Sequence, residues 1–246
     1  MKTLSRSVLA KPPAHRRAGW RARPTAILPP PEVAVWHADL DEASGAEVAS
    51  FLAVLSVDER ERARGFYFER DRRRFIVARG ILRSLLGHYL SLAPERIAFR
   101  YGANGKPELA GEAAAAGLHF NLAHSEGAAV YAFTRVGEVG IDLERIREMP
   151  EWERIAATCL PAAESARLCA GRTQRQSEDF FRAWARQEAR LKALGIGLGD
   201  DAERGAKDSA LHVHALDAGS EFAAALALRH PAPHIVREQW AARAVA

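Results

Sequence analysis

Cysteine is nearly absent. Cys159 and Cys169 are the only two in 246 residues, too few for a disulfide scaffold, and no CxxC pair or histidine cluster joins them into a zinc site. They read as two reduced cysteines of a cytosolic protein. Long apolar runs are missing as well. Each is broken by Arg, Glu or Gly before it could span a bilayer. Acids are missing from the first 31 residues, which hold Lys2, Arg6, Lys11, Arg16, Arg17, Arg21 and Arg23. The remainder sets 28 basic residues against 31 acidic ones, so a chain of formal charge +4 has a body near −3. The basicity belongs to the leading segment. Aromatic and basic residues are not interleaved as a nucleic-acid surface would need, and the body is taken to bind no nucleic acid and no membrane. A G-x-S-x-G elbow and short internal repeats are also lacking.

What is present is an ordered alternation of elements. Residues 1–32 are rich in Arg, Pro and Ala and are expected to be a disordered tail. Val33–Leu40 alternates as a first strand, and 41–55 and 56–70 carry helical patterns. Ser56 and Glu59 form a capping box. Phe75, Ala78, Leu82, Leu85, Leu86 and Tyr89 fall at helical spacing within an amphipathic helix over 72–90. A strand at 97–101, a turn at 103–107, a small-residue loop at 111–117, and strands at 118–123, 128–134 and 136–144 follow. Helices are expected near 151–158, 161–170 and 178–194, and strands at 210–216 and 221–228. No element is assigned to 236–246. The two halves share an element order, which predicts an α+β architecture of two related lobes, 33–130 and 131–240.

Phe180–Leu198 reads as one helix closed by Gly195 and Gly197. Trp184, Glu188 and Lys192 recur at i, i+4 and i+8 and share a face. On its own a Glu→Lys pair at this spacing is a surface pair worth about 0.2–0.5 kcal/mol. Upstream, Asp142 and Glu144 stand two apart in G-I-D-L-E, so a strand would point both carboxylates to one side while Ile141 and Leu143 enter the core. Paired carboxylates repel unless a cation lies between them, and an all-oxygen set suits Mg²⁺. A solvent-facing acidic edge is the plainer account of that pair alone. His124 and Ser125 follow an apolar strand and fit either a phosphate contact or an ordinary polar turn. Arg60, Arg62, Arg64, Arg70, Arg72, Arg73, Arg74, Arg79 and Arg83 crowd one region. Among them the 72–74 run, Arg79 and Arg83 fit either phosphate forks or a salt-bridged face.

In chain order these pieces resemble the Sfp-type 4′-phosphopantetheinyl transferases. The resemblance is carried by Asn104-Gly105-Lys106-Pro107, Phe120-Asn121-Leu122-Ala123-His124-Ser125, Gly140-Ile141-Asp142-Leu143-Glu144, and Trp184-x-x-x-Glu188-Ala189-x-x-Lys192-x-x-Gly195. It implies a pseudo-dimer of two similar α/β lobes with the active site in the cleft between them. The N-terminal lobe would bind coenzyme A and the C-terminal lobe would hold the metal site. The implied reaction moves the phosphopantetheine arm of coenzyme A to a serine of an acyl or peptidyl carrier protein with Mg²⁺, releasing 3′,5′-ADP. By motif, Asp142 and Glu188 would be metal ligands, with Glu144 a third ligand or one acting through water. Glu188 would be the base for the serine and Lys192 would contact the pyrophosphate. His124 and Ser125 would hold coenzyme A phosphates, and Lys106 and Arg62 the 3′-phosphate end. Gln187 departs from the family's usual Lys there, which would remove a cation near the phosphates. A cytoplasmic monomer is expected. The residues themselves leave two other readings open: a metal-dependent nuclease, and a relative that binds coenzyme A or carrier protein without turnover.

Overall fold

The computed structural model describes residues 28–171, 175–197, 210–231 and 233–241. The tail expected to be disordered lies outside this set up to residue 27, as does the end of the chain from 242. In order the elements are β1 (Glu32–Asp39), α1 (Gly45–Val54), α2 (Val57–Arg64), α3 (Glu69–Leu90), β2 (Ala98–Tyr101), β3 (Pro107–Ala110), β4 (His119–Ser125) and β5 (Ala128–Thr134). They continue with β6 (Val139–Arg145), α4 (Trp152–Cys159), α5 (Ala162–Ala170), α6 (Gln176–Leu194), β7 (His212–Leu216), β8 (Phe222–Leu228) and β9 (His234–Gln239).

Two sheets carry the repeat. In the first, β5 lies antiparallel between β1 and β4; in the second, β8 lies antiparallel between β6 and β7. Apart from the β2–β3 hairpin of the first, each lobe is a strand, three helices and two closing strands, the last of which inserts between the other two. This is the two-lobed α+β fold. The symmetry is broken by β9, which returns from the C-terminal lobe to pair in parallel with β1. A border drawn at 130/131 falls inside β5. Strand pairing instead puts the border after Thr134 and gives β9 to the first sheet, and Leu28, placed in the tail by its composition, is buried in the first lobe's core.

Burial explains the layers. Val33, Val35, Val130 and Ala132 on one face of the first sheet share a core with Val139, Ile141, Leu143, Leu226 and Leu228 of the second. The opposite face of the first sheet, with Trp36, Tyr131 and Phe133, takes Val77, Ile81, Leu82 and Leu85 of α3. The opposite face of the second sheet presents only Ala223, Ala225 and Ala227 from β8, and α6 answers with Ala185, Ala189 and Ala193. Small side chains on both sides let the helix lie close to its sheet. The molecule is therefore layered helix, sheet, sheet, helix. β1 and β5 are buried on both faces, so the alternation along Val33–Leu40 does not mark a solvent side.

Local signals set the element ends. Ser44 with Glu47 caps α1, and Ser56 with Glu59 caps α2 as its spacing predicts. The 56–70 segment is not one helix: α2 stops at Arg64, and α3 starts at Glu69, three residues earlier than the apolar pattern indicates. The small-residue segment at Gly111–Ala116 is a 3₁₀ turn rather than a loop.

The arginine cluster resolves into partnerships. Glu59, 2% exposed, accepts from Arg79 Nε and Arg83 Nε, both at 2.6 Å, and Arg83 also donates to the carbonyls of Pro94 and Ile97. Both guanidinium groups lie over the Phe99 ring. Arg79 and Arg83 are therefore not phosphate forks but the buried cations that tie α3 to α2. Arg72 pairs with Glu69, Arg74 with Asp41, and Arg73 donates to the Ala43 carbonyl. No helix of the described residues is long and apolar enough to cross a membrane.

Candidate active site

The site is built where α6 crosses β6. Along β6, Val139, Ile141 and Leu143 face the inter-sheet core, so Gly140, Asp142 and Glu144 must face α6. Gly140 sets the approach: a Cβ there would stand 2.0 Å from the Ala189 carbonyl oxygen and 2.4 Å from the Ala193 nitrogen. Two strand residues advance about 6.6 Å and four helix residues about 6 Å, so the two repeats stay in step. The two elements run in opposite senses, and the long side chains of Lys192 and Trp184 reach in from either side to Asp142 and Glu144. Lys192 Nζ donates to Asp142 Oδ1 at 2.6 Å, and Trp184 Nε1 donates to Glu144 Oε1 at 3.2 Å. Glu188 lies one turn from each of its helix partners.

These carboxylates sit where ionisation is costly. Asp142 is 3% exposed; its burial pushes its pKa up, opposed by Lys192. Glu144 is pushed up to about 7, first by burial and then by the charge of Asp142. Burial also raises Glu188, against the pull of Lys192. Asp142 Oδ2 and Glu188 Oε1 are buried without a hydrogen-bond partner. Two orphaned buried oxygens from facing elements, with a third acid beside them, form an oxygen-only donor set that a hard cation such as Mg²⁺ fits. The three acids are strung along the seam, with Lys192 on one of them. Among the described residues no three His, Cys, Asp or Glu side chains are already drawn into one cluster.

The N-terminal lobe reaches the seam through β4. Its buried Asn121 accepts from the Ile141 amide at 2.9 Å, and Ser125 Oγ accepts from the Arg145 amide at 3.0 Å. These two bridges fasten β4 beside β6 and leave the Ser125 hydroxyl proton free to donate. His124, between them in sequence, faces an open cleft of about 250 Å³ that Leu40, Phe66, Phe75 and Arg74 also line. Its pKa is lowered by partial burial, then by the positive charges of Lys192 and Arg62, with Asp142 opposing. Arg62, exposed near the end of α2, lies over the Phe75 ring. His124 thus lies within the field of Lys192, Arg62 and Asp142, and Ser125 is tied to β6 one residue past Glu144.

Two candidates lie elsewhere. Lys106 Nζ donates to Glu138, to the Val139 carbonyl and to the Lys192 carbonyl. Gln187 is 1% exposed, so its departure from the family pattern concerns the interior of the C-terminal lobe and removes no cation from the cleft surface. Asn121 was not singled out by sequence reasoning. Its signal, an amide within an otherwise apolar strand, is present but does not say which strand it bridges.

Comparisons with known proteins agree in register with these lobes. A family model described as the 4′-phosphopantetheinyl transferase superfamily matches residues 138–243, and one described as 4′-phosphopantetheinyl transferase, N-terminal, matches 42–135. The 4′-phosphopantetheinyl transferase HetI of Nostoc is 39% identical over 175 residues, covering 71% of this chain and 73% of the relative. A putative 4′-phosphopantetheinyl transferase of Synechocystis is 30% identical, covering 70% of this chain and 68% of the relative. The human L-aminoadipate-semialdehyde dehydrogenase-phosphopantetheinyl transferase is 30% identical over 62% of this chain and 53% of its own length. The two family models span both lobes and the seam that holds Asp142, Glu188 and Lys192, and the chain belongs to the 4′-phosphopantetheinyl transferase superfamily.

Proposed function

We propose that this enzyme transfers the 4′-phosphopantetheine arm of coenzyme A to a serine of an apo carrier protein, with Mg²⁺, and releases 3′,5′-ADP. The observation that carries the reading is that one oxygen of Asp142 and one of Glu188 are buried without a hydrogen-bond partner, on the two elements whose crossing also sets Lys192 on Asp142. Asp142 and Glu188 would hold the ion, with Glu144 third, directly or through water. A bound ion would neutralise charge on the pyrophosphate and let the three acids ionise together.

The chain's own groups supply the rest. Glu188, ionised, takes the proton of the serine hydroxyl as its oxygen bonds to the β-phosphorus. The bond from that phosphorus to the bridging oxygen breaks, and 3′,5′-ADP leaves with the charge. Lys192 moves from Asp142 toward the phosphates, where its ammonium offsets the developing charge. His124, the Ser125 hydroxyl and Arg62 hold coenzyme A phosphates at the N-terminal wall. The reaction demands positioning and charge neutralisation rather than a covalent nucleophile on the enzyme.

Both lobes of one chain line the cleft, which supports action as a monomer. The two free cysteines and the near-neutral body support a cytoplasmic enzyme that binds neither nucleic acid nor membrane. The test is incubation with coenzyme A, Mg²⁺ and a panel of apo carriers, read by intact mass. A gain of one phosphopantetheine on a carrier is expected, and its absence on all carrier types would remove the reading. Plasmid nicking in Mg²⁺ tests the nuclease alternative directly.

A further inference from the structure

We infer that Lys106 and Asn104 form an inter-lobe clamp on the C-terminal end of α6, so that Lys106 is a positioning residue for Lys192 and Glu188 rather than a coenzyme A ligand. The inference rests on the reading of α6 as the helix that carries the reacting groups.

A lysine ammonium has three N–H donors, and here each has an acceptor within the protein. Lys106 Nζ lies 3.0 Å from Glu138 Oε2, 3.3 Å from the Val139 carbonyl oxygen and 2.9 Å from the Lys192 carbonyl oxygen. Its side chain is only 13% exposed. A phosphate could be engaged only by giving up one of these bonds. Glu138 is held from its other oxygen by His119 Nδ1 at 3.0 Å. Asn104 Nδ2 donates to the Gly195 carbonyl at 3.0 Å, and Gly197 packs so near Asn104 that a Cβ on Gly197 would be 3.2 Å from its amide oxygen.

The acceptors show what the clamp acts on. The last carbonyls of a helix carry the negative end of its dipole; the Lys192 carbonyl accepts from the Gly195 amide at 3.3 Å and keeps a second lone pair for the Lys106 ammonium, and the Gly195 carbonyl takes the Asn104 amide. Val139 opens β6 and Lys192 lies in the last turn of α6. One side chain of the N-terminal lobe therefore grips both elements whose crossing presents Asp142 and Lys192. The turn is shaped for this. Gly105 has φ 75°, a left-handed conformation that suits glycine, and the Gly102 amide donates to the Lys106 carbonyl at 3.0 Å. This closes the loop and presents Asn104 and Lys106 to the same helix end. Because the Lys192 backbone is gripped, its side chain starts from a fixed point when it exchanges Asp142 for a phosphate. A displacement of about 1 Å at reacting groups costs on the order of 10²-fold in rate.

The test compares Lys106→Met, Lys106→Arg and Asn104→Ala with the intact protein. Turnover on an apo carrier, calorimetric affinity for coenzyme A, and hydrogen exchange at the amides of residues 191–195 are measured. Lys106→Met, which keeps the apolar stem, is expected to lower kcat about tenfold, to leave coenzyme A affinity within twofold, and to speed exchange in that turn at least tenfold. Asn104→Ala should move the same quantities in the same direction by a smaller factor, and Lys106→Arg should recover part of kcat. A tenfold loss of coenzyme A affinity at unchanged kcat would make Lys106 a substrate contact and overturn the clamp. So would unchanged exchange in all three variants. An intact protein that modifies no carrier condemns the proposed reaction instead, and the exchange experiment still decides the clamp.

Discussion

Gly140→Ala tests whether the crossing of α6 over β6 is what makes the site. The added methyl group would sit 2.0 Å from the Ala189 carbonyl oxygen, 2.4 Å from the Ala193 nitrogen and 3.0 Å from the Lys192 carbonyl carbon. All three are helix backbone, so no side chain can rotate away. Ordinary contact needs about 3.4 Å or more, so α6 must retreat by roughly 1 Å or β6 must buckle. Overpacking of this kind costs about 1–3 kcal/mol. At 2–4 °C per kcal/mol for a chain of this size, that is a fall in Tm of about 2–12 °C. The retreat also separates Lys192 and Glu188 from Asp142, and a misplacement of that size costs about 10²-fold in rate. The assay is carrier modification at saturating coenzyme A on protein shown folded by circular dichroism, with thermal melting alongside. Gly45→Ala is the control, because a Cβ there meets nothing within 4 Å, and it should leave both readings unchanged or raise Tm slightly. Turnover within twofold of the parent together with an unchanged Tm in Gly140→Ala would refute the argument.

Other outcomes follow from the same geometry. Glu188→Gln should lower kcat by about 10²–10⁴-fold while leaving Tm unchanged or higher, since it removes a buried carboxylate whose ionised form is disfavoured; near-parental turnover would take Glu188 out of the proton transfer. Glu144, raised to about 7, favours its protonated form in the folded chain, so its ionisation costs stability as pH rises from about 4.5 through 7. A bound cation must displace that proton, so Mg²⁺ affinity measured by thermal shift should be about tenfold weaker at pH 6 than at pH 8, and equal affinities would contradict the assignment. Glu59→Gln strands two buried guanidinium groups and should destabilise the fold by about 3–5 kcal/mol in urea unfolding. A loss under 1 kcal/mol would show that Arg79 and Arg83 find other partners.

The lobes were legible because each element has its own pattern. Alternation gave β1, helical spacing gave α3, and Ser56 with Glu59 gave the start of α2. The parallel return of β9 to β1 was not. Its six residues, HIVREQ, carry no period of their own, and what recruits them is the free edge of β1 and the Trp240 ring packed on Trp36 and Phe51. Strand pairing across some 200 residues leaves no local trace. The gap between α2 and α3 was also hidden. Gly65 ends one helix, and the exposed Phe66, Tyr67 and Phe68 look like the start of an apolar face until their exposure is known.

The site divides along a similar line. Asp142, Glu144, Glu188 and Lys192 could be grouped from the sequence because strand period 2 and helix period 4 each place a matched row on one face. What spacing cannot give is which polar group faces which. A lysine in a turn looks like a cation offered to solvent, yet Lys106 is committed to a helix end in the other lobe. An arginine on a charged helix looks solvated, yet Arg83 is 1% exposed because Glu59 and two carbonyls meet it inside. A glutamine in place of a lysine looks like a lost charge, yet position 187 faces inward. Each reversal concerns a side chain long enough to reach away from its own element, so its partner is set by tertiary packing. The short acid on β6 has no such freedom: Asp142 points where the strand points it, and that is why its facing α6 could be read from the strand period alone.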